Sequence, residues 1–126
     1  MALRLILICF ILSGCFGNFK TGEQLYNSGD YEKAIDEFNK VLFVSITDLK
    51  SLHLRARSYE ELGELKKAEA DYRKILALDP EYAYAYTGIA KLAWDKGRFV
   101  EAENNLLKAA MLAPEDYDVL LFLSRA

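Results

Sequence analysis

The chain has 126 residues, 16 basic and 19 acidic side chains, a formal net charge of −3, two cysteines and one histidine. A mildly acidic balance argues against a nucleic-acid partner, whose phosphates call for a basic face. With one histidine and no cysteine to spare beside it, no ordinary zinc site can be assembled, and no cofactor is expected.

At the amino terminus Met1 to Arg4 is a short positively charged start, followed by Leu5 to Leu12 (LILICFIL), an unbroken apolar run of eight. Crossing a hydrocarbon core takes about 20 helical residues, so the run suits the apolar core of an export signal instead. It ends in Leu12-Ser13-Gly14-Cys15, an apolar residue, two small residues and a cysteine. This resembles the lipobox of bacterial lipoproteins. The resemblance implies a signal peptide over 1–14, cleavage before Cys15 and acylation of Cys15 as the first mature residue. Cys9 would leave with the signal, so no disulfide is expected although an exported compartment permits one. The protein is then expected on a membrane of the bacterial cell envelope, periplasmic or outer-membrane-associated. Only Phe16, Gly17 and Asn18 separate the lipid from the first expected helix, a reach of roughly 10–14 Å. Phe16 and Phe19 would then rest in the membrane interface or cap the first helical unit.

From Cys15 onward the chain repeats every 34 residues: Gly29, Gly63 and Gly97 are in register, as are Ala34, Ala68 and Ala102, and Lys40, Lys74 and Lys108. Pro80 and Pro114 keep the same interval, whereas unit one has Ile46 at that place. Constant offsets of this kind mark stacked helix–turn–helix units. The units run over about 15–48, 49–82 and 83–116, with a partial unit at 117–126. Apolar spacings of three and four predict helices at about 19–27, 31–43, 48–61, 65–77, 82–95, 99–111 and 116–125. The fold expected is all-α, an α-solenoid of three units with one extra C-terminal helix.

The units resemble the tetratricopeptide repeat. Unit two carries Leu52, Ala56, Tyr59, Gly63, Ala68, Tyr72 and Pro80; unit three carries Tyr86, Ala90, Gly97, Phe99, Ala102, Ala109 and Pro114. Unit one keeps Gly22, Gly29, Tyr31, Ala34 and Phe38. Gly22, Ala56 and Ala90 are small where the paired helices approach, facing Ala34, Ala68 and Ala102. The three glycines of the register suit a left-handed helix end. Tyr31, Leu65 and Phe99 open the second helices with an apolar side chain. Arg55 and Asp71 recur together in a variant of the repeat, which implies an ion pair within unit two.

In such arrays the first helix of each unit lines a concave face. Carried onto this chain, that face holds Phe19, Glu23 and Tyr26, then Lys50, His53, Arg57 and Glu60, then Tyr84, Thr87, Lys91 and Trp94. Tyrosine and tryptophan are favoured at protein interfaces, so a protein or peptide ligand is expected there. The carboxylate clamp of the family would fall on Phe19, Glu23, Leu54, Tyr84 and Gly88, none of which supplies it. No catalytic constellation is found: nothing places a nucleophile beside His53, and Glu60 and Glu61 diverge on a helix as a solvated pair. The chain is therefore expected not to be an enzyme.

The last predicted helix contains Val119-Leu120-Leu121-Phe122-Leu123. Val119, Leu120 and Leu123 can pack on unit three, while Leu121 and Phe122 lack a partner within the chain. Terminal repeats normally carry a polar outer face. Either the array continues beyond this sequence or the helix docks on another subunit. The function expected is a lipid-anchored adaptor in envelope complex assembly, of the outer-membrane β-barrel or pilus secretin type. The alternatives are a structural unit dimerising through Leu121 and Phe122, and a regulatory adaptor of a cell-wall enzyme.

Overall fold

The computed structural model describes residues 17–116 together with Val119, Leu121 and Ser124. The expected signal peptide, Cys15, Phe16, Leu120, Phe122 and Leu123 lie outside the described residues. Among the described residues six helices have defined bounds: α1 (Phe19–Asn27), α2 (Tyr31–Val44), α3 (Leu49–Glu61), α4 (Leu65–Leu78), α5 (Ala83–Asp95) and α6 (Phe99–Leu112). No strand occurs among the described residues. The bounds of these six fall within one residue of the sequence expectation, and Val119, Leu121 and Ser124, within the expected seventh, are helical as well. Each helix packs chiefly on its chain neighbours, and α1 also touches α3, as in an all-α solenoid.

The turn inside each unit is built three times in the same way. Gly29, Gly63 and Gly97 have φ of +83°, +75° and +73°, a backbone conformation costly for any side chain. After each glycine the next N–H reaches back five residues: Asp30 to the Leu25 carbonyl, Glu64 to Tyr59 and Arg98 to Ala93, at 2.8–2.9 Å. The glycine N–H itself donates to Tyr26, Glu60 or Trp94. This double bond is the Schellman arrangement, and it satisfies carbonyls that a helix end leaves open. At their starts, α1, α2 and α3 are capped by the side chains of Asn18, Asp30 and Asp48. The starts of α4, α5 and α6 have no side-chain cap and depend on packing.

Between the paired helices the small residues are fully buried: Ala34, Ala56, Ala68, Ala90 and Ala102 show no exposure. At Gly22 an added Cβ would lie 2.6 Å from the Phe38 ring, which fills the space instead. Leu42, Leu52, Tyr72, Ile75, Ile89 and Leu92 form a continuous core running from unit one to unit three. At the far end Val119 is buried against Tyr86 and Ala109, while Leu121 remains 50% exposed.

Two polar networks bind the units laterally. Arg55 on α3 donates to both carboxylate oxygens of Asp71 on α4, at 2.8 and 2.7 Å, forming the ion pair expected within unit two. It also donates to Asn39 Oδ1 on α2 at 2.7 Å, so one guanidinium ties unit one to unit two. Glu69 on α4 accepts from Arg73 at 2.7 Å and from Lys96, in the unit-three turn, at 2.8 Å. Those two hydrogen bonds, Lys96 first, hold its carboxyl down at about 2.

Asp71 is buried, so removing it strands a guanidinium that stays largely covered. Asp71→Ala is expected to lower the unfolding free energy by about 3–5 kcal/mol in urea titration. Arg55→Leu combined with Asp71→Leu should cost less than half as much, because no charge is left behind. A loss below 1 kcal/mol for Asp71→Ala would show that the network contributes little.

Candidate functional site

The α3 face that carries His53, Arg57 and Glu60 at intervals of four and three residues looks across to α5. There Tyr84, Thr87, Gly88 and Lys91 follow the same helical spacing. Together they line a cleft of about 250 Å³, with Tyr72 in its floor and Asp116 at its rim.

One wall is aromatic. The His53 imidazole stacks on the Tyr84 ring, with centroids 5.6 Å apart and planes 16° from parallel. Tyr82 meets His53 edge-on, and its hydroxyl oxygen lies 3.2 Å from His53 Nδ1. Burial, and then the nearby Arg57 charge, push the imidazole down to about 4. His53 is therefore neutral at ordinary pH and serves as an aromatic surface. Tyr84 stays 56% exposed, so the outer face of the stack is available to a ligand.

The floor depends on a glycine. Tyr72 rises from α4 behind the cleft, and its ring crosses directly under Gly88, where a Cβ would meet the ring at 2.8 Å and closer. Through that gap the Tyr72 hydroxyl donates to Glu60 Oε1 at 2.9 Å. Lys91 Nζ donates to the other oxygen at 3.3 Å. Burial and the neighbouring Glu60 charge raise the Tyr72 phenol, keeping it a donor. Arg57 stands apart: its guanidinium lies 5.8 Å from the centroid of the Tyr26 ring, and no carboxylate pairs with it among the described residues.

Of the residues assigned to the concave face from sequence, His53, Arg57, Glu60, Tyr84, Thr87 and Lys91 are gathered in this cleft. Tyr26 adjoins it through Arg57, and also packs edge-on against Tyr31 at 5.5 Å. Glu23 and Lys50 are exposed on α1 and α3 and do not line the cleft. Phe19 packs against Phe38 at 6.0 Å, inside unit one. Trp94 lies edge-on against Phe99 at 4.9 Å, at the α5–α6 turn, because Phe99 opens α6 beside it. The solvated reading of Glu60 is corrected: its side chain is only 8% exposed, because Tyr72 and Lys91 close over it. Tyr72 as floor and Gly88 as aperture were not anticipated. A glycine in mid-helix, where the other units have Lys20 and Leu54, is the one sequence signal that pointed there. Among the described residues no group of three metal-ligating side chains converges.

The depressed imidazole has a direct consequence. The unfolded chain takes up the His53 proton near pH 6.5, the folded chain only near 4. Between those values the unfolded state binds more protons, so stability falls as pH falls from about 6.5 towards 4. The loss is expected to be on the order of 1–2 kcal/mol by pH 5. Glu69 adds its own loss only below about 4.5, as it protonates on the way to about 2. Urea titrations of His53→Gln should be nearly flat between pH 6.5 and 5; an unchanged slope would place the proton uptake elsewhere.

Comparison with known proteins agrees with this architecture. Two family models described as tetratricopeptide repeat match residues 49–82 and 83–116, together more than half of the chain. A TPR repeat-containing protein of Pseudomonas aeruginosa is 31% identical over 99 residues, 78% of this chain and 17% of that protein. Outer dynein arm-docking complex subunit 4 of Mus musculus is 30% identical over 90 residues, 71% of this chain and 14% of its own length. The chain thus spans less than a fifth of these relatives. Among solved structures, the first TPR domain of Spaghetti (RPAP3) bound to an HSP90 peptide superposes with a TM-score of 0.79 at 23% identity, covering 84% of both chains. The Yersinia enterocolitica type III secretion chaperone SycD, in complex with a peptide of the translocator YopD, superposes with a TM-score of 0.75 at 20% identity, covering 85% of this chain and 82% of that one. Six helices in three hairpins, the glycine turns in register and the two matching repeat models lead to one conclusion: the chain belongs to the tetratricopeptide repeat family, a protein-interaction fold.

Proposed function

We propose that this chain is a lipid-anchored adaptor of the bacterial cell envelope that holds an extended segment of a partner protein in the α3–α5 cleft. The observation that carries the binding reading is the His53–Tyr84 stack, half open to solvent, beside Arg57, a cation with no carboxylate partner among the described residues. A flat apolar wall next to a lone guanidinium suits a peptide that lays a ring or proline on Tyr84 and offers a carboxylate to Arg57. The Glu60–Tyr72–Lys91 floor is internally neutralised and gives the ligand shape rather than charge. Two solved domains of the same fold carry bound peptides, which supports a peptide rather than a small molecule.

Anchoring rests on the lipobox-like Leu12-Ser13-Gly14-Cys15 that follows the apolar run. Assembly of an outer-membrane β-barrel or a pilus secretin is the setting in which such an adaptor would act. Among the described residues no helix is long and apolar enough to cross a membrane.

A second reading is self-association through the C-terminal segment, favoured by the exposure of Leu121 beside the buried Val119. Sedimentation that depends on concentration, and is abolished by Leu121→Asp or Phe122→Asp, would favour it.

A photo-reactive group at Tyr84 in the native membrane should yield adducts with a different protein. Once that partner is known, Tyr84→Ala and Arg57→Glu should each weaken its binding by on the order of 2 kcal/mol, read by calorimetry. Adducts only with the chain itself, or affinities unmoved by both substitutions, would overturn the adaptor reading.

A further inference from the structure

In an antiparallel hairpin the start of the first helix and the end of the second lie on the same edge. Three such edges align along the array, and each exposes apolar side chains: Phe43 and Val44 in unit one, Leu78 in unit two, and Met111 and Leu112 at the matching places of unit three. Units two and three close with Leu78-Asp79-Pro80 and Leu112-Ala113-Pro114, whereas unit one closes with Val44-Ser45-Ile46, preceded by Phe43. Phe43, Val44 and Ile46 are 88%, 60% and 63% exposed. The core does not demand them: Leu42, just before, is the residue that turns inward. Where unit one has Ser45 and Thr47, unit two carries Asp79 and Glu81 and unit three carries Glu115, while Asp48 of unit one matches Asp116. Such a clustered apolar surface calls for a covering partner.

The chain arrives at this same edge. Gly17 crosses α2 so closely that a Cβ there would lie 2.6 Å from the Glu37 carbonyl oxygen and from Lys40 Cβ, and would also meet the Val41 nitrogen. Val44 follows one turn further along that face of α2. Cys15 is two residues before Gly17, a reach of about 7 Å. Any lipid on Cys15 is therefore delivered beside the exposed loop.

We infer that the Phe43–Ile46 loop is a bilayer-docking edge, seated in the interfacial region of the membrane that holds the lipid anchor. This rests on the reading of Cys15 as the acylation site. The loop's three apolar side chains enter the headgroup boundary, and the exposed Lys50 reaches the anionic phosphates. Acidic edges on units two and three keep those units off an anionic surface, so the array rises from the membrane at unit one. The cleft between α3 and α5 is thereby held clear of the lipid and open to a partner.

The test uses the acylated full-length chain in vesicles of phosphatidylethanolamine and phosphatidylglycerol with brominated acyl chains. With Trp94→Phe as background, Phe43→Trp supplies a reporter on the proposed edge and Leu62→Trp one on the opposite edge. Bromine should quench the Phe43→Trp emission about twofold and leave that of Leu62→Trp unchanged. Val44→Trp repeats the reading should Phe43→Trp disturb α2. If the chain stays on the vesicles and neither edge is quenched, the anchor stands and the docking edge is overturned. A chain that does not stay on the vesicles overturns both. A blue-shifted emission at Phe43→Trp that ignores bromine and grows with protein concentration assigns the loop to a second copy, and overturns docking on lipid.

Discussion

Every larger feature of this protein depends on how closely two helices of a unit can approach. Ala34, Ala56, Ala68, Ala90 and Ala102 are fully buried, and the Phe38 ring lies where a Gly22 side chain would be. Enlarging any of these residues would wedge a hairpin open, and overpacking of that kind typically costs about 1–3 kcal/mol. Close approach sets the thickness of each unit. That thickness sets how units two and three stack, and their stacking sets the width of the cleft. The positive-φ glycine turns serve the same end, returning the chain within three residues so that the small faces meet.

The cleft is built by reaching through that packing. Tyr72 belongs to the core by burial, yet its hydroxyl emerges under Gly88 and organises the Glu60 carboxylate from below. Lys91 completes the pair from above. A buried carboxylate held by two donors is rigid and leaves no net charge to attract a ligand. In the proposed reading, recognition would fall to the open face of Tyr84 and the Arg57 guanidinium. His53 contributes as a neutral ring, which is why the one histidine of the chain is a wall rather than a base.

Placing unit one on the bilayer and the cleft between units two and three gives the two ends of the array separate tasks. Arg55 is then of interest beyond stability. Through Asn39 and Asp71 it fixes unit one to unit two, so under the proposed docking a seat on lipid would translate into a fixed orientation of the cleft.

What could be read from the sequence is what local chemistry determines. Helix boundaries, the left-handed glycines, the buried alanines and the Arg55–Asp71 pair all follow from repeating offsets within one hairpin, where i to i+4 bonding and side-chain size decide the outcome. The gathering of His53, Arg57, Tyr84, Thr87 and Lys91 is legible through the resemblance to the tetratricopeptide repeat, which implies that the first helices line one concave face. What spacing could not decide is where a long side chain turns when two partners compete. Trp94 and Phe19 sit at positions of the concave face, but each finds a ring within its own unit and packs there. Tyr72 passing beneath Gly88, Lys91 closing over Glu60, and Asn39 joining Arg55 each depend on distances between units. Those distances come from the stacking of whole hairpins, which only the tertiary structure sets.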